Sequence, residues 1–494
     1  MNLKNNVIGQ CRRLFNQSKI SALWQLENKP LCCCIAVAFL FYFPILYASA
    51  YHADDVSRAI SGWYLFSGAG RFLLSGVAHV YSSFNSLIVD FHPLNQVLCI
   101  LCLAISSFFV YKKFNSIVPR FALFLGLIFL INPFFLNNLL YRYDSLGFSI
   151  GYLLVVVAFS IADNWYAFLF KVFFLVAALC CYQPLINIFI GLIAIQIIFE
   201  SKNLSLLVIL KKHLSNGLAF VFSAICYKIL AQGASGASAR GQLLELDSNF
   251  ISALGSNFNK AFDCFIRFWL DFPYFLWPVL VMVGIALLKL TYDKQWNRLL
   301  VILASVCLVY LSGLGGMALL KSPLIDPRVL NYFPIVLMLC FSIIGIAFAS
   351  FRYLILLPII ASFIFSSRVG NVHRIQTDFE KPILYSACVD IEHVKRNYKI
   401  KTFNSIGGVK KSKYLENILN VTPFNGFLAR SGWQTVGRLN EYCNGRVSFL
   451  WSSSYSKMRK EYLEREYPSS AKIIDRYPFY EIRINGDKAW IVWH

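Results

Sequence analysis

Acidic residues are scarce in this chain. Against 46 Lys and Arg its 494 residues include 25 Asp and Glu, and the charged types together make up 14% of it, too little to clothe a soluble globule of this length. Water is excluded as the main solvent. The motifs of soluble catalysis are also absent: no Walker phosphate loop, no GxSxG elbow, no HExxH pair and no glycine-rich dinucleotide turn, which excludes soluble nucleotide chemistry. No nucleic-acid motif accompanies the net charge of +21, and much of the basic charge lies in short loops between apolar runs, where it sets topology and meets anionic headgroups. No small-residue cleavage site follows the first apolar run, which starts near Leu31 behind Lys4, Arg12, Arg13, Lys19 and Lys29. It reads as a retained helix, with residues 1–30 on the cytoplasmic side. Cys99 and Cys102 have metal-pair spacing but lack a second pair with His, so they read as small apolar packing residues.

What is present is hydrophobic: 57% of the chain, with 16% aromatic. Apolar runs of roughly 16 to 21 residues, long enough for the hydrocarbon core, start near Leu31, Pro93, Phe121, Leu146, Ala167, Pro184, Leu218, Phe272, Leu299, Val329 and Tyr353. The expectation is a mainly α polytopic membrane protein with about 11 transmembrane helices. With the N-terminus inside, Lys112, Lys113, Arg120, Lys202, Lys211, Lys212, Lys294, Arg298 and Arg352 all fall in cytoplasmic loops, as the positive-inside rule requires. The transmembrane module then covers 31–368, with long outer loops at 51–92 and 233–271. Residues 369–494 form a small extracytoplasmic α+β domain, with strand-like alternation from Tyr480 to Trp493 about a turn at Asn485, Gly486 and Asp487.

Chemistry is expected at the outer loops, since long connections in a compact protein are usually functional. Asp54 and Asp55 follow the first span directly. Two adjacent carboxylates repel, so one takes a raised pKa and can act as a general base; an Asp at a helix start can equally cap it. Arg58 and Arg71 lie in or beside an interfacial segment, Ile60 to Val80, where they can hold a lipid phosphate or simply snorkel to headgroups. Tyr141, Arg142 and Asp144 make a dense outer loop that can converge on the same cleft or form a structural ion pair. Tyr182 and Gln183 offer a phenol and an amide suited to sugar hydroxyls, although turn chemistry alone would explain the neighbouring Pro184. Arg240, Lys260, Arg267, Lys321 and Arg328 add cations that could neutralise a phosphate leaving group, with Arg328 also able to pair with Asp326.

The acidic pair in the first outer loop, the charged outer loops and the soluble tail together resemble the GT-C membrane glycosyltransferases. More narrowly, YHADDVSRAISGWYLFSGAGR from Tyr51 to Arg71, then Asp90 Phe91 His92 Pro93 Leu94, YRYDS from Tyr141 to Ser145, and Tyr182 Gln183 Pro184 resemble the phage-type, serotype-converting O-antigen glucosyltransferases. The resemblance implies a bacterial inner-membrane enzyme that moves glucose, with inversion, from undecaprenyl phosphate to O-antigen repeats of lipopolysaccharide at the periplasmic face. A lipid-sugar flippase and a donor-lipid synthase would work alongside it. It also implies Asp54 or Asp55 as the base and Arg58, Arg71, Arg142, Lys321 and Arg328 as donor-phosphate ligands. No cofactor is expected; Mg or Mn at Asp54 and Asp55 is the less favoured alternative. An O-antigen polymerase or a lipid-linked glycan transporter are the rival readings. Boundary charge and the absence of an inverted repeat favour surface chemistry over transport. In an oxidising periplasm Cys388 and Cys443 can form a disulfide.

Overall fold

The computed structural model describes residues 17–64, 66–85, 87–162, 164–232, 242–419, 427–428, 432–443 and 472–494. Lys4, Arg12, Arg13 and Arg240, singled out above, lie outside the described residues.

The chain is mainly helical. Among the described residues seven helices are long and apolar enough to cross a membrane: Lys29–Ala48, Leu94–Asn115, Gln183–Glu200, Leu206–Ala231, Pro273–Tyr292, Trp296–Leu319 and Ser350–Tyr398. Four further apolar runs expected to span form shorter helices, Pro119–Leu130, Ser145–Ser160, Phe168–Leu179 and Phe333–Ala347. The first of these shows why. Pro133 cannot donate to the helical ladder, and the Asn132 side chain accepts from the backbone N–H of Phe134 at 3.1 Å and Phe135 at 3.3 Å, which ends one helix and starts Phe135–Leu140. Such a break is tolerated at membrane depth because it is buried in protein: Asn132 and Asn138 donate to the Asn331 carbonyl at 3.0 Å and side chain at 2.8 Å.

The loop at 51–92 folds into two short helices, Asp55–Ser61 and Phe72–Tyr81. Half of the second long connection is also helical, Phe250–Asp271. Its Phe265 and Phe268 rings pack on Phe134 and Phe333 with centroids 4.9 to 5.8 Å apart, tying it to the bundle.

The boundary expected at Arg368 falls inside one unbroken helix. Leu356–Tyr398 runs for 43 residues, about 65 Å against a hydrocarbon core of about 30 Å, so much of it stands clear of any bilayer. Its first half packs tightly on the first span. A Cβ at Gly370 would run into the Pro44 carbonyl, and the Ser366 hydroxyl donates to the Phe41 carbonyl at 2.5 Å. Its second half turns an apolar stripe, Ile383, Leu384, Ala387, Ile391 and Val394, onto a separate core with Phe403, Leu439, Ile482, Ile491 and Trp493.

That second core is floored by a four-stranded sheet in the order β1(Thr402–Ile406), β4(Lys488–Trp493), β3(Tyr480–Asn485), β2(Lys472–Arg476). The expected hairpin is present: β3 and β4 pair antiparallel from Tyr480 opposite Trp493 to Asn485 opposite Lys488, around Gly486 at φ +63°. β1 pairs parallel to β4. Cys388 on the long helix is disulfide-bonded to Cys443 after helix Gly432–Tyr442, and Glu380 on the same helix pairs with Arg438 at 3.0 Å. Helix Gly432–Tyr442 is thereby fixed against the long helix.

Candidate functional site

At one end of the bundle the loops between helices bring most of the sequence-predicted residues together. After the first span the chain turns through Ser49 and Ala53, both at positive φ, and enters helix Asp55–Ser61. Asp54 stands at the start of that helix but makes no capping hydrogen bond with its side chain, which is 51% exposed. Its neighbour has the opposite environment. Asp55 is fully buried, and its Oδ2 accepts the backbone N–H of Arg142 at 2.9 Å and of His52 at 3.4 Å.

Arg58 lies among three carboxylates. Its Nη1 is 3.0 Å from Asp144 and 3.7 Å from Asp55, and its Nη2 is 3.9 Å from Asp54. One guanidinium cannot compensate both buried carboxylates. Burial pushes the Asp55 carboxyl up to about 8; Arg58 and the two backbone N–H groups oppose the shift, and Asp144 adds to it. Asp55 therefore keeps its proton at neutral pH while Asp144 takes the close ion pair.

Arg142 is committed to a second cluster. Its Nη1 meets Asp90 at 3.0 Å, its Nη2 donates to the Ser49 carbonyl and hydroxyl, and the guanidinium sits 4.3 Å from the centre of the Tyr51 ring. Asp90 also accepts from the Tyr51 hydroxyl and the His92 N–H, each at 2.9 Å. Although burial opposes it, these donors and Arg142 hold the Asp90 carboxyl below the usual range.

Arg328 and Arg71 differ. Arg328 donates to the Tyr141 hydroxyl at 2.7 Å, and its own carbonyl is held by Asn138, Asn331 and Tyr182 at 3.0, 2.8 and 3.1 Å. Asp326 lies 3.8 Å away and is 43% exposed. Arg71 lies over the Tyr182 and Phe148 rings, at 5.1 and 5.6 Å from their centres. It meets no carboxylate among the described residues, and its buried Nε has no hydrogen-bond partner. Tyr182 thus presents its ring to one arginine and its hydroxyl to the loop of another.

Two candidates take other places. Lys321 is exposed and pairs with Glu245 at 3.0 Å beside the bridge between Leu243 and Leu320, so its charge is spent on a surface partner. Gln183 donates to the Ala69 carbonyl at 3.1 Å and the Tyr227 hydroxyl at 2.5 Å, so its amide braces protein rather than offering itself to a sugar. Among the described residues no three His, Cys, Asp or Glu side chains gather to hold a metal ion.

Asp90, Ser49, Tyr51 and Tyr227 were given no role by the sequence. Asp90 was legible in principle, since it opens the Asp90 to Leu94 run. Tyr227 lies in an apolar helix with nothing in its spacing to mark it. The far end of the chain also reaches this place: His52 packs edge-on to Tyr141 and to His373 of the long helix, with centroids at 4.8 and 5.5 Å, and a Cβ at Gly437 would touch Val56 at 3.0 Å. Helix Gly432–Tyr442 therefore lies directly on helix Asp55–Ser61.

An accessible carboxylate beside Arg58, with Arg71 and Arg328 on neighbouring loops at the ends of apolar helices, marks a polytopic membrane protein with a charged site at the mouth of its bundle. The chain belongs to the family described as Glucosyl transferase GtrII, which matches residues 43–363 and so takes in every site residue named above except His373, Gly437 and the rest of the C-terminal part. A curated relative from Salmonella phage P22, described as an uncharacterized 55.3 kDa protein in the gtrB 5' region, is 28% identical over 235 residues, 45% of this chain and 47% of the relative. The chain spans about half the length of that relative. No solved structure matches.

Proposed function

We propose that this protein is an inverting glucosyltransferase of the GT-C class that takes glucose from undecaprenyl phosphate and adds it to O-antigen repeats at the periplasmic face of a bacterial inner membrane. The observation that carries the reading is that one end of the bundle holds a solvent-reaching carboxylate, Asp54, together with Arg71 and Arg328, two guanidiniums that lie over aromatic rings with no carboxylate among the described residues nearer than 3.8 Å. Family membership supplies the glucosyl class.

In this reading Asp54 accepts the proton of the acceptor hydroxyl. The acceptor oxygen bonds to the anomeric carbon as the bond from that carbon to the phosphate oxygen breaks, and the lipid phosphate leaves with the electron pair. Arg71 and Arg328 meet the charge that develops on it. Asp55, protonated and sealed, does not take part in proton transfer; with Arg58 and Asp144 it fixes the helix that carries Asp54. Because arginines meet the phosphate, no metal is required.

The eleven-span count and an inside N-terminus belong to the same proposal. Every expected run coincides with an apolar helix. The segments that meet at the site follow the first, third, fifth and ninth runs, which alternation puts on one side of the membrane. The donor must then be made and flipped by partner proteins.

The test is transfer from undecaprenyl-phosphate glucose to lipopolysaccharide in proteoliposomes, with linkage analysis of the product. One hexose gained per repeat with inverted anomeric configuration is the expected result. Unchanged glycan with confirmed protein in the membrane would overturn the reading.

A further inference from the structure

The turn Ser67–Gly70 that delivers Arg71 is held by residues from two other helical segments. Ser67–Ala69 forms a single 3-10 turn, Gly70 takes φ +74°, and the Arg71 N–H returns to the Phe66 carbonyl at 2.9 Å. This short piece has no core of its own. What fixes it is a chain of hydrogen bonds: Gln183 Nε2 donates to the Ala69 carbonyl at 3.1 Å and to the Tyr227 hydroxyl at 2.5 Å, and the Tyr227 hydroxyl donates to the Gly70 carbonyl at 3.2 Å. The fit is close enough that a Cβ at Gly70 would run into the Tyr227 hydroxyl. Two successive carbonyls of the turn are therefore tied down immediately before Arg71.

The backbone after Arg71 is tied by the Leu73 and Leu74 N–H groups to the Cys180 carbonyl, and the tether fixes the side before it, while the side chain itself has only aromatic faces to orient it. Aromatic faces attract a guanidinium without fixing its direction as a bidentate carboxylate does. Its Nε is buried and without a hydrogen-bond partner, and no carboxylate among the described residues meets it.

We infer that Tyr227, with Gln183, is a positioning residue for the donor phosphate: it holds the Ser67–Gly70 turn so that the Arg71 guanidinium faces the phosphate of the lipid-linked sugar. This rests on the reading of Arg71 as a phosphate ligand. Tyr227 itself touches no reacting atom. Its hydroxyl acts through one backbone carbonyl and one amide, so its effect belongs in donor affinity and must vanish when Arg71 is gone.

The experiment is a double-mutant cycle on the full-length protein in proteoliposomes, with undecaprenyl-phosphate glucose as the varied substrate. Tyr227→Phe keeps the ring and removes the hydroxyl; it should raise the donor KM about tenfold, the scale of a lost buried hydrogen bond, with kcat within about twofold. Arg71→Gln should raise the donor KM about tenfold to a hundredfold, the scale of a charge-assisted contact. In the Arg71→Gln background, Tyr227→Phe should add less than about twofold, since the two act as one unit.

Full additivity of the two substitutions, or a Tyr227→Phe protein with unchanged donor KM, overturns the positioning role while leaving Arg71 as a phosphate ligand. An Arg71→Gln protein with unchanged donor KM overturns the phosphate reading itself, and the positioning role with it. A Tyr227→Phe protein that loses kcat and thermal stability with donor KM unchanged would assign Tyr227 to folding alone.

Discussion

Asp54→Asn and Asp55→Asn should separate two carboxylates that the sequence leaves equivalent. Asp54 is 51% exposed and its nearest cation, Arg58, is 3.9 Å away. An ion pair that open is worth about 0–1 kcal/mol, so Asp54→Asn should move the unfolding temperature in detergent by no more than about 2 °C. Loss of a general base should nevertheless lower kcat about 10²- to 10⁴-fold, or about 3–5 kcal/mol of barrier. Asp55 is fully buried, with a carboxyl pushed up to about 8. At pH 7 it is mostly the neutral acid, and Asn is close to that acid in shape. Asn can keep the acceptor for the Arg142 and His52 N–H groups but sets an amide where a carboxyl oxygen faced Arg58 at 3.7 Å. The cost should be about 1–3 kcal/mol of stability, with transfer retained within about tenfold. Single-turnover transfer and thermal unfolding of both variants at equal membrane levels provide the assay. If Asp55→Asn abolishes turnover at an unchanged unfolding temperature while Asp54→Asn keeps more than about a tenth of kcat, the base is Asp55 and the division of labour argued here is wrong.

The raised Asp55 pKa makes a second prediction with a definite sign. The native state holds a proton that the unfolded chain gives up near pH 4, so this stabilisation is full at low pH and is lost as pH rises towards about 8. Unfolding temperature between pH 5 and 8 should fall for wild type, and Asp55→Asn should flatten that component. Arg142→Lys keeps the charge but cannot serve Asp90, Ser49 and the Tyr51 face together; donor and acceptor KM should both rise in steady-state transfer assays, and wild-type values would refute its bracing role. Chelator should leave transfer unchanged if arginines meet the phosphate as proposed; loss of activity on EDTA treatment, restored by Mg or Mn, would refute this. Cys388→Ser should loosen helix Gly432–Tyr442. Opening a loop of 55 residues costs about 4 kcal/mol in the chain-entropy account, and faster proteolysis of the C-terminal part with the bundle intact is the expected readout.

Membrane character and the convergence of loops at one end of the bundle were legible in the sequence because both follow from where charge is absent. Apolar runs can be counted, and boundary residues such as Asp54, Arg142 and Arg328 stand out against them. Which charges stay free was not legible. Arg58 and Arg142 look the same in sequence as Arg71 and Arg328, and only packing shows that the first two are spent on Asp144 and Asp90. Lys321 is diverted by Glu245, 76 residues earlier in the chain, through a single bridge between strand-like segments. Helix lengths were overestimated where a run contained its own stop: Asn132 and Pro133 are apolar enough in context to pass as span, yet they halt the helix. The rise in charge after Arg368 marks a change of surroundings rather than an end of helix, since charged residues at helical spacing let Leu356–Tyr398 run on unbroken.

The division of cations also explains why the acidic pair needs both members. A base that is to take a proton from a sugar hydroxyl must be reachable, and a reachable carboxylate on a short helix has little to hold it in place. Helix Asp55–Ser61 has seven residues, too few to be stable alone. It is held because Asp55 points inward to the Arg142 backbone, Arg58 bonds Asp144, and Val56 lies under Gly437. Every inward group on that helix anchors it, and Asp54 is left on the outward side. With its carboxyl protonated, Asp55 adds no second buried negative charge beside Arg58, which is left to its 3.0 Å pair with Asp144. A protonated Asp55 is thus the inward anchor of the helix that presents Asp54. Substitutions that remove Asp55 should act on transfer through the placement of Asp54, as a loss of kcat within about tenfold that tracks the loss of thermal stability rather than as loss of a second base.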